Sequence, residues 1–289
     1  MIFGLNLPNY SSLGNRESMI AIAQRAEELG YSSLWTSDHI LIPANRPEPF
    51  GNVLETFTTL SFLAARTETI RLGTGILVLP QRDPLLASKQ AATIHHLSAG
   101  RFMVGIGVGY IAEEYSFLRA DFGRRGQLAD EYIQAMRVLF ESDHPEYHGQ
   151  HINFSQVLFS PRPTPPPPIV VGGSSTAALK RAATLGDGWY GLRLSPEAAL
   201  AAIEEMNQIG HKPDFTLSLR VQTRVGGSVE NADPATTLDG DPDSIVKRLR
   251  RYHEVGIEHL VIEPFASSPS DFRNQMTRFA HEIAPRLPQ

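Results

Sequence analysis

Cysteine is absent from all 289 residues. That absence removes disulfides, thiolate nucleophiles and thiolate metal sites together, and it leaves redox compartment unreadable. No apolar run approaches the roughly 18 residues that a membrane-spanning helix needs. The opening Met1-Ile2-Phe3-Gly4-Leu5-Asn6-Leu7-Pro8 has neither the length nor the basic start of a signal peptide, so a cytoplasmic location is expected. The formal net charge is -5 and no block of like charges occurs, which favours neither nucleic acid nor an anionic membrane surface as a partner. A small molecule is the expected ligand. Familiar catalytic signatures are missing too. There is no G-x-S-x-G elbow and no P-loop, which removes hydrolase and kinase readings. His95 and His96 are adjacent on a helical segment and point to different faces, while His148 and His151 flank a surface turn. No carboxylate-histidine spacing resembles a zinc site, and no metal is expected.

What the chain does have is a core-forming composition, 42% hydrophobic, and length for one large α/β barrel or two medium domains. Strand and helix periodicities alternate. Strands are predicted over 2–7, 33–36, 71–77, 101–108, 169–171, 188–192, 216–225 and 258–262. Helices are predicted over 15–29, 54–67, 84–97, 113–117, 127–140, 196–209, 241–255 and 271–283. A loop rich in proline (Pro43, Pro47, Pro49) follows the second strand. Residues 144–168 break the rhythm with a turn around Gly149 and the prolines Pro161, Pro163 and 165–168. They read as a hairpin excursion and a stiff connector, because alternation resumes at once. The expected fold is a (β/α)8 TIM barrel forming one domain over 1–289, with this excursion between strands 4 and 5. A doubly wound open sheet stays possible from the pattern alone.

In a barrel the ligand sits at the C-terminal ends of the strands, so the residues just past each apolar run matter most. After the fifth strand, Gly172-Gly173-Ser174-Ser175 precedes an Ala/Leu-rich helix. The glycines would let backbone N–H groups approach an anion, and a serine would cap a helix whose positive dipole end faces the same spot. This corner suits a phosphate, and equally an ordinary strand-to-helix turn. After the second strand, Asp38-His39 offers a hydrogen-bond acceptor beside a group that titrates near neutrality, or a turn cap beside a plain polar residue. Glycines inside a strand weaken it unless another backbone or a flat ligand comes close, so Gly73-Thr74-Gly75-Ile76 calls for a bulge or a ligand. Gly105-Ile106-Gly107-Val108-Gly109-Tyr110 lacks the third glycine of a dinucleotide fingerprint, since Tyr110 stands there. Small residues clearing space for a bound ring, or simple close packing, remain.

Phe3-Gly4-Leu5-Asn6-Leu7-Pro8, Leu34-Trp35-Thr36-Ser37-Asp38-His39, Leu72-Gly73-Thr74-Gly75-Ile76, Leu97-Ser98-Ala99-Gly100-Arg101-Phe102, Gly105-Ile106-Gly107-Val108-Gly109 and Val171-Gly172-Gly173-Ser174, in this order, resemble the luciferase-like monooxygenase superfamily. The Asp-His pair and the double-glycine corner are similar to the branch that uses the deazaflavin coenzyme F420. The resemblance implies a flavin or deazaflavin at the barrel mouth, a bulge with a cis peptide at Gly75–Ile76 behind its ring, and hydride transfer to or from a small organic substrate. It implies that Asp38 binds the polar edge of the ring and that Thr74, Gly75, Ile76, Val108 and Gly109 line it. Gly172, Gly173, Ser174 and Ser175 would hold the phosphate, and His39 would handle the proton. Tyr110 and Arg193 are candidate substrate contacts. Members that oxidise sugar phosphates carry a Trp shortly after the Asp-His pair and a Glu after the fourth-strand glycines. Here Ile40-Leu41-Ile42-Pro43 and Tyr110 stand instead, which points to an apolar or carbonyl-type substrate. An FMN-dependent monooxygenase using reduced flavin and oxygen is the alternative on the same scaffold, and a flavin- or deazaflavin-binding protein without turnover is the alternative from another class. A homodimer pairing through helices of the first half is also implied.

Overall fold

The computed structural model describes residues 1–46 and 48–288. Pro47, expected in the loop after the second strand, lies outside the described residues. Eight strands form the barrel: β1 (Ile2–Leu7), β2 (Ser33–Thr36), β3 (Arg71–Thr74), β4 (Phe102–Gly107), β5 (Ile169–Gly172), β6 (Gly188–Leu192), β7 (Thr216–Val225) and β8 (His259–Pro264). Each pairs in parallel with the next, β8 pairs with β1, and β7 pairs with both β6 and β8, so the sheet closes on itself. Closure excludes the open doubly wound sheet and gives the (β/α)8 barrel.

Around it run α1 (Arg16–Glu28), α2 (Thr56–Ala64), α3 (Pro84–Leu97), α4 (Arg125–Glu141), α5 (Thr176–Leu185), α6 (Pro196–Ile209), α7 (Pro242–Glu254) and α8 (Pro269–Arg278). Their starts are written locally. Asn15, Asp83, Ser175, Ser195, Asp241 and Ser268 each accept a first-turn N–H, and proline opens α3, α6, α7 and α8, where its missing N–H costs nothing. No described helix is long and apolar enough to cross a membrane.

Two packed regions hold the barrel. The larger lies between strands and helices. The smaller fills the barrel itself with Trp35, Met103, Val170, Tyr190 and Val261, against which Ile76 packs. Gly73 is required there because a methyl group at that position would collide with the Trp35 ring. Below them His259 bridges Ser33 Oγ (3.0 Å) and Ser218 Oγ (2.8 Å), and Trp35 Nε1 donates to Ser33 Oγ (2.9 Å). Burial, with the charge of Arg71 adding to it, pulls the His259 imidazole down to about 4, so it stays neutral at pH 7.

The third strand departs from the continuous 71–77 expected. Pairing stops at Thr74, the Gly75–Ile76 peptide is cis, and the chain resumes as Leu77–Val78 beside Ile106 and Gly107 of β4. The glycines of β4 are explained by this bulge. A methyl at Gly105 would sit on the Thr74 carbonyl oxygen and one at Gly107 on the end of Ile76, so both clear space for the chain itself. That corrects the expectation that they clear it for a bound ring. A four-residue strand, Thr237–Gly240, pairs with the end of β7 in a stretch where no element is predicted. Its Thr-Leu-Asp-Gly is too short to carry a period. Within the excursion, Tyr147–His148 and Asn153–Phe154 form the expected hairpin around Gly149.

Candidate active site

A cavity of about 850 Å³ opens at the C-terminal ends of the strands, a size that holds a cofactor with a small substrate. Asp38, His39, Gly75, Ile76, Val108, Gly109, Tyr110, Gly172, Gly173, Ser175 and Arg193 all line it. Thr74 and Ser174 do not. The Thr74 hydroxyl is spent inside the protein, donating to the Gly105 carbonyl at 2.7 Å, and Ser174 is exposed beside the cavity.

His39 is buried, and its Nδ1 lies 3.0 Å from Glu114 Oε2. Glu114 sits in a short helix, Ala112–Phe117, which follows β4. Its other oxygen, Oε1, accepts the N–H groups of Ile40 (2.6 Å) and Leu41 (3.2 Å). Burial pushes the Glu114 carboxyl up, but the bonds from His39 and the Ile40 N–H outweigh it and hold the group below the usual carboxylate range. An ionised Glu114 can only accept, so Nδ1 carries the proton and Nε2 is left for the cavity. Phe50 packs on the imidazole at 4.4 Å between centroids, and Tyr110 meets it edge-on at 6.0 Å. Glu114 was not visible as a site residue because Glu113-Glu114 reads as the solvated start of a helix. Ile40, Leu41 and Ile42 are not among the residues lining the cavity. The Ile40 and Leu41 N–H groups are turned to Glu114 instead, which corrects the expectation of an apolar flank there. Apolar lining comes instead from Val78, Phe50, Leu192 and Phe265.

Asp38 is fully engaged by the protein. Arg82 grips both its oxygens (2.8 and 2.6 Å) and the Val78 N–H donates to Oδ2 at 2.8 Å. Burial pushes its carboxyl up, opposed by Arg82 and by that N–H. The pair ties the end of β2 to the segment after the bulge, which gives Asp38 work apart from any ring edge.

At the fifth strand, Gly173 adopts a φ of 115°, a conformation that L side chains rarely take, and its carbonyl accepts from Trp189 Nε1 at 2.7 Å. Ser175 caps α5 by accepting the Ala178 N–H at 3.3 Å. The Thr176 and Ala177 N–H groups of the first turn receive no capping side chain, and Gly172, Gly173, Ser175 and Ala178 around them line the cavity. Such a donor set fits a phosphate.

The opposite wall carries charge. Glu263 of β8 is bound by Arg220 (Nη2 to Oε1 2.8 Å, Nε to Oε2 3.1 Å), by Arg193 Nη2 (3.1 and 3.0 Å) and by the Tyr10 hydroxyl (2.9 Å). Burial pushes its carboxyl up, but the two guanidinium groups pull it down to about 2. Arg193 therefore lines the cavity as an ion-paired residue. Arg220, Glu263 and Tyr10 escaped sequence reading, although a glutamate inside the apolar run His259-Leu260-Val261-Ile262-Glu263 was a usable signal. Among the described residues no group of His, Cys, Asp and Glu side chains could hold a metal ion.

Comparison with known proteins agrees with this fold. The family model described as luciferase-like monooxygenase matches residues 2–235. An uncharacterized protein of Mycobacterium tuberculosis (strain H37Rv) is 36% identical over 183 residues, a match covering 59% of this chain and 63% of that relative's length. An F420-dependent glucose-6-phosphate dehydrogenase of Amycolatopsis mediterranei is 24% identical over an alignment of 318 residues covering 93% of this chain and 94% of the relative. Among solved structures, monooxygenase RslO1 from Streptomyces bottropensis superposes with a TM-score of 0.84 at 22% identity over 99% of both chains, which is a likeness of fold.

Proposed function

Because the chain belongs to the luciferase-like monooxygenase family, we propose that it is an oxidoreductase transferring a hydride between the deazaflavin coenzyme F420 and a small, apolar, carbonyl- or alcohol-type substrate. The observation carrying this reading is the His39–Glu114 pair at the edge of a cavity that Val78, Phe50, Leu192 and Phe265 make apolar beside it. Hydride transfer to a carbonyl leaves an oxygen that needs one proton, and the reverse reaction releases one. An imidazole whose Nδ1 is held by an ionised carboxylate, with Nε2 toward the cavity, is suited to both directions.

The bound deazaflavin would supply the hydride acceptor or donor. The protein's own residues would do the rest. Gly172, Gly173 and the first turn of α5 would hold the phosphate, and the Gly75–Ile76 bulge with Val108 and Gly109 would support the ring. Glu114 would fix the tautomer of His39, whose Nε2 would give or take the substrate proton. Phe50, Leu192 and Phe265 would exclude water from the reacting carbon. The relation to an F420-dependent relative along 93% of the chain supports the cofactor assignment.

Titration of the purified protein with F420 and, separately, with FMN tests the assignment. Deazaflavin binding, followed by alcohol-dependent bleaching of its visible absorption, is expected. Tight FMN binding with no deazaflavin binding would overturn it in favour of the flavin-dependent monooxygenase.

A further inference from the structure

We propose that the Arg193–Arg220 wall of the cavity is a subsite for a carboxylate on the substrate, so that the substrate is an apolar molecule bearing an acid group at a distance from its reacting carbon. This assignment rests on reading the cavity as the substrate-binding mouth and adds the class of molecule it takes.

Donors outnumber acceptors on this wall. Glu263 accepts from Arg220 through two nitrogens, from Arg193 and from the Tyr10 hydroxyl, so its oxygens are saturated. The guanidinium groups are not. Arg193 uses Nη2 alone, and its Nε and Nη1 have no partner among the described residues. Arg220 Nη1 reaches only Ser37 Oγ at 3.4 Å, beyond good hydrogen-bond length. Two positive charges thus face one negative charge, and the surplus N–H groups belong to residues that line the cavity. Of the other acidic residues in the lining, Asp38 is already paired with Arg82, and neither Asp38 nor Glu48 forms an ion pair with Arg193 or Arg220 among the described residues. A planar fork with unfilled donors and net positive charge, set in a mostly apolar wall, matches a carboxylate better than a neutral carbonyl.

The placement also suits a substrate. Phe50 touches both ends of the site, packing on Tyr10 at 5.1 Å and on His39 at 4.4 Å, so one aromatic ring separates the charged wall from the proton-handling imidazole. A molecule anchored at Arg193 can lie along Phe50 and present its reacting carbon beside His39. The backbone of Arg193 is itself fixed for this, in a left-handed conformation (φ 48°) with its N–H bonded to the Arg220 carbonyl at 2.8 Å.

Binding of 4-phenylbutyrate and of 4-phenylbutanamide to the full chain, measured by calorimetry without cofactor, tests the subsite. The acid should bind about tenfold or more tightly than the amide, the scale of hydrogen bonds to a charged group. Arg193→Met should reduce that preference to about threefold or less, and Arg193→Lys should restore part of it. Equal binding of acid and amide, binding of neither, or a preference that survives Arg193→Met in a folded variant would overturn the proposal. So would loss of F420 affinity in Arg193→Met with the acid preference intact, because the oxyanion would then belong to the cofactor. A chain that prefers the acid but ignores F420 keeps this subsite and loses only the cofactor assignment.

Discussion

His39 Nδ1 and Glu114 Oε2 stand 3.0 Å apart across 75 positions of sequence, and through that contact the short helix after β4 sets which nitrogen of the imidazole faces the cavity. His39→Ala should lower kcat by on the order of 10²–10⁴, the usual contribution of a positioned acid-base group. Glu114→Gln removes only the charge and the fixed tautomer, so a smaller fall, about tenfold to a hundredfold, is expected with cofactor affinity unchanged. Steady-state kinetics beside equilibrium cofactor binding would separate the two. A Glu114→Gln enzyme that loses cofactor binding but keeps kcat would reverse the assigned role.

Asp38 and Arg82 form a buried ion pair, and removing the Asp38 carboxylate leaves Arg82 with only Glu55 at 3.6 Å. Asp38→Ala should destabilise the fold by about 3–5 kcal/mol, and Asp38→Asn by less because an amide oxygen still accepts. Urea unfolding monitored by tryptophan fluorescence would measure it. Wild-type stability in Asp38→Ala would mean that the carboxylate is kept for a ligand.

Gly105 is a steric glycine. Its missing Cβ leaves room for the Thr74 carbonyl, a backbone atom that cannot swing away, so Gly105→Ala should cost about 1–3 kcal/mol or more and disturb the bulge behind the cavity. Gly30 has a φ of 78° and no atom within 4 Å of the place a Cβ would take, so Gly30→Ala should cost only its backbone strain, about 1–2 kcal/mol. Unfolding free energies rank the two, and cofactor binding should suffer only in the first.

Acid should destabilise the protein in two steps. The His259 imidazole is lowered from 6.5 to about 4 on folding, so the unfolded chain binds the extra proton between those values. Stability is then full above pH 6.5 and falls as pH drops toward 4, by about 3 kcal/mol in all. The Glu263 carboxyl is lowered from 4.5 to about 2, so its contribution is present above pH 4.5 and lost as pH falls toward 2. Urea midpoints at pH 7 and pH 5 for wild type and His259→Asn isolate the first step. The variant should lose about 2 kcal/mol less over that interval. Parallel losses would exclude His259 as the source.

Much of this could be read locally. Asn15, Asp83, Ser195 and Asp241 announce their helices, and proline marks the starts of α3, α6, α7 and α8, because a cap needs only residues three or four positions away. Gly73 and Gly75 in the predicted third strand called for a bulge or a ligand, again from neighbouring residues alone. Thr237–Gly240 could not be read, since four residues are a strand only where β7 offers a free edge.

Sequence alone therefore determined the alternation of strands and helices, the starts of the helices and the residues at each strand end, while the family resemblance supplied the bulge at Gly75–Ile76. Only the closed barrel decided that Glu114 orients His39, that Asp38 is claimed by Arg82, that Gly105 and Gly107 yield to the chain and not to a ligand, and that Arg193 and Arg220 share Glu263. The physical reason is range: periodicity and capping act within a turn or two, whereas a side chain's partner is chosen by which strands closure brings side by side.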